Sequence, residues 1–108
     1  MKLGLKIAVI ALLAVSFAIP AFAQKAGETI YKEKCAMCHG PDGQASTMAG
    51  KMLKAIPFKS PELVKKSDAA LIAATKNGKG KMPEFGTKLS NSQIKEVVEY
   101  IRTLQKKK

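Results

Sequence analysis

The run Cys35-Ala36-Met37-Cys38-His39 brings two thiols and an imidazole together in a C-x-x-C-H pattern. Thiols at this spacing near the end of a helix can reach the two vinyl-derived carbons on one edge of a haem. The adjacent histidine is then held beneath the ring, where its nitrogen can bind iron. Other chemistries fit less well. A C-x-x-C disulfide oxidoreductase stands beside a βαβ pattern, and no strand-like segment precedes this motif. A zinc site takes four ligands. Cys35 and Cys38 are the only cysteines and His39 the only histidine, so a carboxylate pair would have to complete it.

The single histidine excludes a second attachment motif and a second histidine ligand within the chain. The opposite iron position therefore falls to methionine, lysine, water or nothing. Met37 lies between the two tethering cysteines and is confined to the attachment edge. Met48 and Met52 follow His39 by too short a connection to cross easily to the far face. Met82 sits in Gly78-Lys79-Gly80-Lys81-Met82-Pro83, a flexible loop stiffened at once by proline and suited to laying a thioether on that face. A core methionine filling a gap is the alternative role, but one rarely sits between glycines and a proline. Lys79 and Lys81 are weaker candidates, because a strongly hydrated ammonium would have to lose its proton.

Several elements must position these groups. Lys2 and Lys6 precede the apolar run Ile7–Ile19, Pro20 breaks it, and Ala21-Phe22-Ala23 has the form of a cleavage site. This is the layout of a secretory signal peptide. The run is shorter than the about 20 residues that span a bilayer, although an uncleaved anchor is the alternative. The expected organisation is thus a cleaved leader, residues 1–23, and one domain, residues 24–108, in the periplasm or secreted. A domain this small usually needs a staple. A Cys35–Cys38 disulfide would close too small a loop to serve as one, whereas a covalently held haem would.

Strand signals are poor and helical punctuation is plentiful, so the expected class is all-α, with about four to five short helices. From Gly27 to about Lys34, Ile30, Tyr31 and Cys35 fall near one helical face. Ser60-Pro61-Glu62 reads as an N-cap, a first-turn proline and a first-turn acid, opening a helix to about Lys65. Ser67 or Asp68 can cap a third helix that stops at Asn77-Gly78. Ser90 and Gln93 form a capping box, and Ile94, Val97, Val98, Ile101 and Leu104 then make one apolar stripe. Gly40–Lys59 and Gly78–Leu89 read as loops, long enough to need something to wrap around.

The chain has 19 basic residues against 8 acidic ones, for a formal charge of +11. Beyond the leader the lysines are dispersed, apart from Lys106-Lys107-Lys108. An ordinary soluble surface with a basic tail is one reading. The other is steering toward an acidic redox partner or an anionic membrane surface. Nucleic acid is disfavoured by export and by the lack of interleaved aromatic residues.

With these residues in view, the chain resembles the small bacterial class I c-type cytochromes over essentially all of residues 24–108. Cys35, Cys38 and His39 match the attachment motif, and His39-Gly40-Pro41-Asp42-Gly43 is like its usual continuation. Lys81-Met82-Pro83-Glu84-Phe85 resembles the segment that supplies the axial methionine. Gly27 and Tyr31 are similar to the glycine and aromatic pair of the first helix, and Val97 and Tyr100 to the last-helix positions that meet it. The chain departs from some relatives in having no tryptophan, which leaves the propionate surroundings unassigned. The resemblance implies helices wrapped around one covalent haem c, with first and last helices crossing at Gly27. It also implies His39 and Met82 as axial ligands, single-electron transfer between redox proteins, and no enzymatic turnover. Two alternatives are a small-ligand-binding or enzymatic haem protein with a labile sixth ligand, and a subunit of a membrane oxidase or dehydrogenase.

Overall fold

A computed structural model describes residues 21–108. The leader expected at residues 1–23 lies almost wholly outside the described residues. The last helix organises the rest, because its sequence is the most strongly amphipathic. Ser90 accepts a hydrogen bond from the Gln93 amide at 3.1 Å, and the Gln93 side chain accepts one from the Ser90 amide at 2.8 Å. This reciprocal cap satisfies two donors that a helix start otherwise leaves open. The helix runs from Asn91 to Lys106 and buries Ile94, Val97, Val98, Ile101 and Leu104. Each such side chain contributes about 1.5–3 kcal/mol of burial before its entropy cost is subtracted.

In chain order the helices are α1 (Ala21–Lys34), α2 (Ala36–His39), α3 (Met48–Met52), α4 (Pro61–Val64), α5 (Asp68–Asn77) and α6 (Asn91–Lys106). Among the described residues there is no strand, only an isolated bridge between Lys79 and Met82. The all-α expectation holds, with six helices among the described residues where about four to five were expected. α1 also starts earlier than Gly27. No described helix is long and apolar enough to cross a membrane.

Helix α6 packs across α1 and against α5. The α1–α6 crossing falls at Gly27, where a methyl group would overlap the Glu96 carbonyl and lie 3.4 Å from Tyr100 Cβ. Tyr31, one turn further on, is fully buried. Its ring lies 5.2 Å from that of Tyr100 and 6.1 Å, edge-on, from that of Phe58. The Tyr31 hydroxyl donates to the Gly40 carbonyl at 2.6 Å, so the first helix is tied to the residue just after His39.

The shorter helices are local in origin. In α5, Ser67 rather than Asp68 is the cap, accepting from the Ala70 amide at 3.1 Å, and Gly78 closes the helix. Asp68 instead receives Arg102 Nε of α6 at 2.8 Å. Ser60 precedes α4 as expected, but its side chain makes no capping bond; its buried hydroxyl has no partner, and Pro61 sets the first turn. Helix α3 interrupts the stretch expected to be loop. Thr47 accepts from the Gly50 amide at 2.9 Å, and its hydroxyl donates to the Met37 carbonyl at 2.8 Å. That single side chain both starts α3 and fastens it to α2.

Candidate haem site

The attachment motif forms as α1 ends. The Cys35 amide donates to the Tyr31 carbonyl at 2.8 Å, and the His39 amide donates to the Cys35 carbonyl at 3.0 Å. The chain therefore stays helical from Ala36 to His39, which carries both cysteines and the histidine round one turn. Cys35 is buried, Cys38 is half-buried, and the two thiols are not joined to each other. Burial pushes the Cys35 thiol up to about 11. Desolvation lowers the pKa of His39 and favours its neutral form, the form that binds a metal.

These groups line a cavity of about 620 Å³ whose wall also includes Phe58, Met82 and Phe85. The His39 ring stacks on Phe58 with centroids 4.6 Å apart and planes inclined by 23°. His39 Nδ1 is buried without a hydrogen-bond partner, an arrangement that costs about 1–3 kcal/mol unless something else repays it. Two unbridged thiols, a neutral imidazole and a thioether around one apolar cavity are a donor set that fits a haem.

The structure brings all four sequence-predicted residues, Cys35, Cys38, His39 and Met82, to this cavity. Met37 is 76 % exposed at its rim, and Met48 and Met52 are exposed and absent from its lining. Lys79 and Lys81 are exposed at the rim.

The Met82 segment is more firmly held than a glycine-bounded loop suggests. Lys79 and Met82 exchange backbone hydrogen bonds of 3.2 and 3.0 Å, closing a tight turn. The Phe85 amide then donates to the Thr75 carbonyl at 3.1 Å, and the Gly86 amide to the Lys76 carbonyl at 3.0 Å. The expected flexible loop is thus a hydrogen-bonded turn stapled to the end of α5. Sequence reasoning also missed Phe58 as the wall beneath His39. Ile56-Pro57-Phe58, an apolar cluster inside a presumed loop, was the available signal.

A helical shell around a cavity built from these donors defines a c-type cytochrome. Residues 22–101 match the family described as cytochrome c oxidase, cbb3-type, subunit III, and the chain belongs to this family of c-type cytochromes. It is 37% identical to cytochrome c6 of Picosynechococcus sp., over 94% of this chain and 92% of that protein. It is also 34% identical to the cbb3-type cytochrome c oxidase subunit CcoP of Azospirillum brasilense, over 78% of this chain but only 29% of that subunit. The solved KustC0563 c-type cytochrome superposes with a TM-score of 0.67 at 32% identity, covering 73% of this chain and 96% of that one. The chain is accordingly a one-haem c-type cytochrome with covalently attached haem c, and it transfers electrons between redox proteins.

Proposed function

We propose that residues 24–108, freed of a leader at 1–23, act as an exported electron carrier that performs no catalytic turnover. In this reading Cys35 and Cys38 would hold the haem as thioethers, and His39 and Met82 would be the residues that bind its iron. The haem supplies a one-electron iron couple. The protein residues fix its surroundings. Phe58 and the Tyr31–Gly40 hydrogen bond hold the proximal side, while the turn at Lys79–Met82 holds the distal side. A soft thioether favours the reduced ion and raises the potential. With His39 and Met82 both engaged, water and small ligands would be kept off the iron, and the protein would need only to present its haem edge to a partner.

The observation that carries this reading is Met82 lining the same cavity as Cys35, Cys38 and His39 from a turn stapled to α5. The test is Met82→Ala in the exported holoprotein. The haem should remain attached, the potential should fall, and the reduced protein should bind carbon monoxide. An unchanged spectrum would remove Met82 from the iron.

Lys54, Lys79 and Lys81 are exposed around the cavity mouth. They support an acidic redox partner docking there in preference to an anionic membrane met by the lysine tail. A second reading, an electron-transfer subunit of a membrane oxidase, is favoured by the family match over residues 22–101. Co-purification of a cytochrome c oxidase with the tagged chain from detergent-solubilised membranes would support it over a free carrier.

A further inference from the structure

We propose that Gly78 is the positioning residue that seats Met82, and so decides between a closed electron carrier and a haem open to small ligands. The inference rests on the reading of Met82 as the distal ligand. Gly78 ends α5 with φ 75° and ψ 169°, a backbone region essentially reserved for glycine. The Met82-Pro83-Glu84 backbone lies directly against its α-carbon. A Cβ at Gly78 would stand 2.7 Å from the Met82 carbonyl oxygen, 2.9 Å from the Glu84 nitrogen and 3.0 Å from the Pro83 carbonyl carbon.

None of these neighbours is the end of a flexible side chain. All three are backbone atoms of the segment that carries Met82. That segment is fixed beyond this point, because Phe85 and Gly86 are bonded to Thr75 and Lys76. A methyl group at Gly78 would therefore push the segment outward at Met82, between two anchors, and draw the thioether away from the cavity. Gly80 is the natural comparison. It lies in the same turn and also has a positive φ, 59°, yet a Cβ there meets nothing within 4 Å.

The test compares Gly78→Ala, Gly80→Ala and Met82→Ala as exported holoproteins. Optical spectra are recorded in both redox states, with and without carbon monoxide. Val98→Ala, in the buried stripe of α6, controls for a general loss of stability. Gly78→Ala should keep its covalent haem, lose the parent's reduced spectrum, bind carbon monoxide stoichiometrically and shift in potential toward Met82→Ala. Gly80→Ala and Val98→Ala should keep the parent's spectrum and exclude the gas. A Gly78→Ala protein with the parent's spectrum overturns the proposal, and so does carbon monoxide binding by Gly80→Ala equal to that by Gly78→Ala. If Met82→Ala also leaves the spectrum unchanged, the ligand assignment itself has failed. If Gly78→Ala does not accumulate, adding Pro83→Gly should restore holoprotein by letting the crowded segment yield. Failure to restore it would assign the defect to Gly78's own backbone and overturn the seating role.

Discussion

Replacing Tyr31 by phenylalanine removes one buried hydroxyl and leaves the ring in place between Tyr100 and Phe58. The lost interaction is the 2.6 Å hydrogen bond to the Gly40 carbonyl. That carbonyl retains a second donor, the Gly43 amide at 3.2 Å, so no acceptor is orphaned. The expected loss is about 0.5–1.5 kcal/mol, that of a single net hydrogen bond. For a domain of this size, that corresponds to a fall in Tm of very roughly 4–8 °C per kcal/mol. The pH dependence adds a second signature. Desolvation raises the Tyr31 phenol well above its ordinary value. Below about pH 10 both folded and unfolded chains keep this proton. Above it the unfolded chain releases the proton while the folded one holds it, so Tyr31 costs about 1.4 kcal/mol of stability per pH unit there. Denaturant unfolding of both holoproteins at pH 7 and at several values above 10 is the assay. Tyr31→Phe should be less stable at neutral pH and should lose stability less steeply in alkali. Equal stability at pH 7, or parallel alkaline slopes, would refute the placement of this hydroxyl.

Other expectations concern the frame and the surface. Gly27→Ala should destabilise by about 1–3 kcal/mol, because its methyl overlaps the Glu96 carbonyl on α6; calorimetry of the holoprotein would measure it. Ser90→Ala should cost about 0.5–2 kcal/mol through loss of the cap, read as a lower denaturant midpoint at constant slope. Electron transfer to an acidic partner should slow as ionic strength rises through the range where the Debye length shrinks below about 10 Å. Lys79→Glu and Lys81→Glu should flatten that dependence, and a rate indifferent to salt would remove the steering role.

What was legible in the sequence follows from where each element gets its stability. Ser90, Gln93 and the stripe from Ile94 to Leu104 specify α6 locally, and the structure reproduces both cap and buried face. Ser67 and Gly78 delimit α5 in the same way. Helices α2 and α3 were hidden because neither has a periodic apolar face. One continues α1 through the attachment motif, and the other depends on Thr47 bonding back to Met37. At Ser60 local chemistry misled, since the serine is in the capping position but makes no cap. Within the site, Cys35, Cys38 and His39 were visible as a contiguous motif, and Met82 through its proline. Phe58 beneath His39, hinted at only by the apolar Ile56-Pro57-Phe58 cluster, and the contact of Gly78 with the Met82 segment are set by tertiary packing. No spacing in the chain encodes them. The Met82 loop looked flexible because its glycines are permissive residues, yet here they allow close packing and tight turning.

A closed electron carrier of this kind would hold a single covalent haem whose iron is bound on both sides by residues of the chain itself. The most direct test is the optical spectrum of the purified exported protein in both redox states, with and without carbon monoxide, alongside the intact mass. A mass increase of one haem, low-spin spectra in both states and no change on adding the gas to the reduced protein are expected. A reduced spectrum that shifts fully with carbon monoxide would contradict closure by His39 and Met82, and a mass without haem would contradict the attachment at Cys35 and Cys38.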